Sequence, residues 1–263
     1  MKDKSLLQAL ILGLGQIASK VLSLIFIFRF SKDLGQDGMS IYAYTYVPFS
    51  IFADLSTFGF IPGVSKLCSG LLSENKELEV SYLFKKGVKL AFIIGIIFFI
   101  FMFIFSSQII QISLFEGISD QTFNIVRINL LLASVSLFLI PVNNFLRGFL
   151  QGQLKMYPTA ISLIIENIMK IILYLLLVDK IVSDNKISFV FVLYFLSYLF
   201  SFMILFIFLL SKLRKKCIRL FLFNSRILIS LFLIFFLNPF MTFMAIILSA
   251  PISIAKLIGM LSV

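Results

Sequence analysis

Ser162, Glu166, Lys170 and Tyr174 follow one another at steps of four inside the apolar run 158–178. Tyr42, Tyr46, Ser50 and Asp54 repeat the pattern in a run that continues to Lys66. Steps of four put each set on one helix face. The chemistry on offer is that of charge held out of water: an ion pair, a contact for an oppositely charged passenger, or a carboxylate that takes and releases a cation. Each charge at bilayer depth costs roughly 2.5–3.5 kcal/mol on insertion scales, so such residues line a bundle interior or a wet cavity. Lys20, with Gln16 and Ser23, sits in the run 6–30, and Arg147, with Ser136 and Asn143, in the run 123–150, with Gln151 at its end. Glu166 and Lys170 stand in the favourable Glu-to-Lys order four apart and are expected to pair, with a coupling site for protons or Na⁺ as the alternative.

The elements that must position these residues are membrane helices. Of 263 residues 60% are hydrophobic, against about 45–50% in soluble domains. Histidine is absent, which removes the commonest general base and zinc ligand. Cys68 and Cys217 have neither metal spacing nor a disulfide framework and read as reduced thiols. No P-loop pattern is present, and no Asp-x-Asp or Asp-Asp pair marks a membrane glycosyltransferase. We therefore expect no cofactor, no metal and no enzyme. The net charge of +11 is explained by basic residues crowding the cytoplasmic ends of helices rather than by nucleic acid.

Hydropathy predicts an all-α polytopic bundle of about seven transmembrane helices, at 6–30, 41–67, 88–114, 123–150, 159–178, 188–210 and 227–248. The stretch Asp33-Leu34-Gly35-Gln36-Asp37-Gly38 is a turn by composition, and so is Ser183-Asp184-Asn185-Lys186. Placing the N-terminus in the cytoplasm puts fifteen Lys and Arg inside and five outside, which sets the orientation in the cell membrane. The tract 212–226 is strongly basic and reads as a topology determinant or a contact for anionic headgroups. The third helix has no polar side chain from Leu90 to Phe105 and is expected to face lipid. Helices one, two, four and five are expected to own the polar seam. Gly13, Gly15, Gly59, Gly63, Gly148 and Gly152 offer points of close packing, and Pro48, Pro62, Pro141 and Pro158 kinks or hinges.

Two stretches carry a family likeness. One runs from Ser5-Leu6-Leu7-Gln8 through Ala18-Ser19-Lys20-Val21-Leu22, Asp33-Leu34-Gly35 and Leu55-Ser56-Thr57 to Val64-Ser65-Lys66-Leu67. The other is Leu146-Arg147-Gly148-Phe149-Leu150-Gln151-Gly152, then Met156-Tyr157-Pro158-Thr159-Ala160, Ser162, Glu166 and Lys170. Together they resemble the polysaccharide exporter branch, of the stage V sporulation protein B type, in the multidrug/oligosaccharidyl-lipid/polysaccharide flippase superfamily. In that branch an Arg usually follows the Ser-Lys pair by seven positions; Ile27 stands there and Arg29 lies two residues later. Asp54 matches the O-antigen branch better.

The resemblance implies two six-helix lobes facing each other across a cavity, and alternating access that carries a polyprenyl-diphosphate-linked sugar across the membrane. The family runs to about twice this length, so residues 1–220 are expected to form a six-helix lobe and 221–263 the first helix of an incomplete second lobe. Partners implied are membrane lipid, the lipid-linked sugar, and a second half-transporter or second copy. The candidate cavity residues are Lys20, Arg29, Asp54, Arg147, Gln151, Glu166 and Lys170. Lys20 is expected to meet a diphosphate, or else to pair with Asp54 or Glu166; Arg147 to meet substrate at the entrance, or else to reach headgroups or cap a helix. Competing readings are a multidrug/cation antiporter of the same superfamily and a non-transporting assembly partner for polysaccharide synthesis.

Overall fold

The structure, a computed structural model, describes residues 2–113, 119–178 and 186–212. Among them there is no strand. Eight helices follow in order: α1 Lys2–Thr57, α2 Phe60–Ser73, α3 Glu77–Ile104, α4 Ser106–Ser113, α5 Asp120–Leu137, α6 Leu139–Gly152, α7 Tyr157–Leu177 and α8 Lys186–Lys212. Residues Met1–Leu209 form one compact unit, and of the second, Leu210–Val263, only the end of α8 falls among the described residues. The expected helix at 227–248, Cys217 and all but the first position of the basic tract lie outside the described residues.

Among the described residues five stretches are long and apolar enough to cross a membrane: Leu6–Ser73, Glu77–Ile104, Asp120–Gly152, Tyr157–Leu177 and Lys186–Leu209. The protein is a polytopic helical membrane bundle. Glycine shapes the first stretch. Gly35 has φ 69° and ψ −170°, a conformation closed to side chains with a Cβ. Residues twelve apart in an unbroken helix are about 18 Å apart along its axis, yet the rings of Phe30 and Tyr42 are 5.0 Å apart. The chain therefore folds back at Gly35, and α1 consists of an amino arm before it and a carboxy arm after it. The turn expected at Asp33–Gly38 is thus reduced to one non-helical residue. Gly59, at φ 74°, breaks the expected second helix into the end of α1 and α2.

Two other boundaries differ from the hydropathy reading. The expected helix at 123–150 is α5 and α6, interrupted at Phe138. Pro141 has no N–H for the carbonyl of Leu137 and crowds it, which loosens the helix there. The third helix starts at Glu77 rather than 88, because its first turns are charged and hydropathy registers only the apolar remainder. As expected, most side chains from 90 to 105 face outward, with Ala91, Gly95 and Met102 turned in.

Glycines set the helix contacts. A Cβ at Gly95 would lie 2.6 Å from the carbonyl oxygen of Phe138, and one at Gly87 would strike the Phe145 ring. A Cβ at Gly148 would lie 2.9 Å from the Ile61 carbonyl oxygen, and one at Gly152 2.7 Å from that of Ser65. Gly15 meets Ala160, whereas Gly13, Gly59 and Gly63 face open space. The core between the α1 arms, α7 and α8 is aromatic: Phe26 and Phe30 pack edge-on to Tyr174, and Tyr42 stacks on Phe191.

Candidate functional site

The site begins on α6. Its glycine stripe is clamped on α2, and the neighbouring stripe, Asn143 and Arg147, turns toward α7 and α8. Arg147 Nη2 donates to Glu166 Oε2 at 2.7 Å and to Ser201 Oγ at 2.9 Å. Its Nε donates to Ser162 Oγ at 3.2 Å and its Nη1 to Asn144 Oδ1 at 3.3 Å. The two charged side chains are 7% and 10% exposed. Desolvating both charges costs several kcal/mol each and is offset only by good geometry and further hydrogen bonds, which Ser162, Ser201 and Asn144 supply. Three helices are tied together at one guanidinium.

One turn along α7, the expected Glu166–Lys170 pair is not made. Glu166 is held by Arg147, and Lys170 forms no ion pair with a described carboxylate. Its ammonium instead lies 4.2 Å from the Tyr194 ring centroid and 5.9 Å from that of Phe26, with the residue 4% exposed. The physical reason is reach: a planar fork arriving from α6 meets the carboxylate end-on, while two aromatic faces stabilise the ammonium where it is. The Tyr42 and Tyr194 hydroxyls share a hydrogen bond of 2.8 Å. One turn further, Tyr174 Oη donates to Asp33 Oδ2 at 2.9 Å. All four members of the predicted α7 stripe, Ser162, Glu166, Lys170 and Tyr174, are buried.

Asp54, Asn143, Asn144, Arg147, Glu166 and Tyr198 line a pocket with about 160 Å³ of water-accessible space. Two carboxylates face one guanidinium. Asn143 Nδ2 donates to the Tyr198 carbonyl at 2.9 Å, but its Oδ1 is buried with no protein partner, so a water or a ligand must satisfy it. Of the predicted site residues the structure brings Asp54, Arg147 and Glu166 to this pocket and leaves Lys170 one turn away.

The remaining predicted residues lie elsewhere. Lys20 is exposed on the amino arm of α1, beside the contacts that dock this arm on α7: Ser23 Oγ to Asn167 Oδ1 at 3.1 Å and Asn167 Nδ2 to Ser19 Oγ at 2.8 Å. It pairs with neither Asp54 nor Glu166. Arg29 is half-exposed and lies 3.5 Å from Asp33. Gln151 is half-buried outside the pocket. The seam also extends beyond helices one, two, four and five. Tyr194, Tyr198 and Ser201 of α8 belong to it, and their spacing of four and three in an apolar run was the signal.

Comparison with known proteins places this geometry in a family. Over 180 residues, 66% of this chain, it is 29% identical to the lipid II flippase MurJ of Bacillus subtilis, covering 32% of that protein. Over 165 residues, 62% of this chain, it is 29% identical to the uncharacterized membrane protein YabM of the same species, covering 28% of it. The chain thus spans about a third of the length of these relatives. No solved structure gives a significant match. The MatE family matches residues 12–176, more than half of the chain, from within α1 to within the last turn of α7, and the chain belongs to that family.

Proposed function

We propose that this chain is one lobe of a membrane flippase that moves a lipid-linked oligosaccharide or cell-wall precursor, a polyprenyl-diphosphate sugar, across the cell membrane. The observation that carries the reading is the similarity to a lipid II flippase over 66% of the chain, together with a polar pocket in an otherwise apolar bundle. The stage V sporulation protein B type remains our reading of the branch. The N-terminus lies in the cytoplasm on the charge distribution of the loops. Residues 1–220 act as a six-helix lobe, and a second half or a second copy of the chain encloses the passenger against it. Rocking of the two about a midplane site would alternate access.

In this reading Arg147 holds the lobe together and Glu166 neutralises it. Contact with the diphosphate then falls to Lys20, exposed and without a carboxylate partner among the described residues, with Arg29 and Gln151 at the ends of the path and Lys170 as a reserve of positive charge one turn from the pocket. Vesicles carrying the protein should translocate a fluorescent polyprenyl-diphosphate sugar, and Lys20→Ala should abolish that movement. Undiminished translocation by the variant overturns the assigned role of Lys20.

One observation favours a second reading. The pocket carries two carboxylates against one guanidinium and an unpaired amide oxygen, a lining suited to a cation, as in a multidrug/cation antiporter of the same superfamily. Asp54→Asn separates the two. It should remove cation-driven transport and leave energy-independent movement of the lipid-linked sugar intact. A non-transporting assembly partner would tolerate both substitutions.

A further inference from the structure

The lysine face at the start of α3 is used by neither reading. Phe84 packs 4.8 Å from the Phe149 ring, Gly87 lies against Phe145, and Val80, Val88 and Ala91 are buried. These contacts fix the rotation of the helix. The opposite face, Tyr82, Lys85, Lys86 and Lys89, is then exposed as a set. Spacings of three, four and seven residues make it a single patch. Lys86 Nζ sits 4.7 Å from the Tyr82 ring centroid.

Depth and charge both bear on what this patch meets. At 1.5 Å per residue a helix of 28 residues is about 42 Å long, some 12 Å more than the hydrocarbon core. The uncharged run begins at Leu90 and continues through α4 to Ser113, long enough to cross the core without the charged turns before it, which sets Tyr82 to Lys89 at headgroup level. Aromatic and basic side chains are the residues that anchor there.

Among the described residues no acid pairs with the three lysines. Positions three and four before each hold Ser81, Tyr82, Leu83, Lys85 or Lys86, so the helical neighbours are neutral or repel. Two of the acids before the patch are engaged elsewhere: Lys76 lies 2.7 Å from Glu74 and 4.0 Å from Glu79. The hydrogen bond from Lys76 holds the Glu74 carboxyl below its ordinary range. Three like charges on an outward face at phosphate depth, with no counter-charge among the described residues, match one occupant.

We infer that Tyr82, Lys85, Lys86 and Lys89 form a site for the phosphate of an anionic phospholipid. It binds on the outer face of α3, away from the pocket. The lysines donate to the phosphate oxygens and the Tyr82 ring covers the glycerol region. The preference is electrostatic and exposed, so raising the salt weakens it.

The test is native mass spectrometry of the full chain released from nanodiscs of equal phosphatidylglycerol and phosphatidylcholine. Wild type should retain phosphatidylglycerol over phosphatidylcholine by at least about ten-fold, given about five-fold per surface lysine. K85Q/K86Q/K89Q should bring the ratio near one, and K86Q alone, which leaves two lysines to support folding, should lower it about five-fold. K32Q/R127Q, exposed positions elsewhere on the surface, should leave it unchanged. An unchanged ratio in the triple variant, no preference in wild type, or retention of a polyprenyl diphosphate without phosphatidylglycerol would each overturn the inference. Transport need not be measured, so this outcome is independent of the proposed function.

Discussion

α3 and the α5–α6 rod are both apolar enough to cross a membrane, yet 17% of the crossing window is buried in the first and 72% in the second. Hydropathy cannot separate them, since lipid and protein interior are equally apolar surroundings. What separates them is polar and small residues. From Leu90 onward the outward face of α3 carries only hydrocarbon and aromatic groups, whereas α5 and α6 bury Asn129, Ser134, Ser136, Asn143 and Arg147. Within a bilayer, helices associate through close packing and hydrogen bonds rather than through apolar area. The rod with the polar stripe becomes the centre, and the featureless helix its lipid-facing wall.

The sharpest way to break this comparison is to remove charge from the centre. Arg147→Met or Glu166→Leu alone leaves one buried charge without its partner and should cost about 3–5 kcal/mol of stability. Arg147→Met with Glu166→Leu should recover most of that loss. Thermal unfolding of the four proteins in the same detergent gives the coupling, and additive losses would mean that the pair does not hold the helices together. Next in size is the glycine contact between the two regions. Gly95→Leu drives a side chain into the Phe138 backbone and should cost about 1–3 kcal/mol. Gly63→Ala, with nothing near its new methyl group, should fall within about 0.5 kcal/mol of wild type. Equal effects at the two sites would contradict the assigned packing. Smaller still, Tyr42→Phe removes the hydroxyl that meets Tyr194 and should cost about 1 kcal/mol in the same assay.

How much of this the residues disclose varies with the physics involved. The stripes on α7 and α6 were legible because steps of four fix a face, and a charged residue in an apolar run has few places to go. The reversal near Gly35 was legible as turn chemistry, though not its confinement to one residue. The partner of Glu166 was not legible. Periodicity says that Glu166 and Lys170 share a face, but which cation reaches the carboxylate depends on how near α6 stands, and that is set by Gly148 and Gly152 against α2. The contribution of α8 was visible in Tyr194, Tyr198 and Ser201 and passed over because none of them is charged. Gly87 and Gly95 were hidden for another reason: a glycine in a helix marks a close approach only once its neighbour is known.

The central claim is that the polar seam opens onto water inside the bundle. It is tested most directly by thiol accessibility in a background of Cys68→Ala and Cys217→Ala. Ala53→Cys, at the pocket wall, should react with a membrane-impermeant cationic thiol reagent, while Ile97→Cys, on the outward face of α3, should not. Failure of Ala53→Cys to react from either side of the membrane would contradict the account, because the pocket would then be sealed.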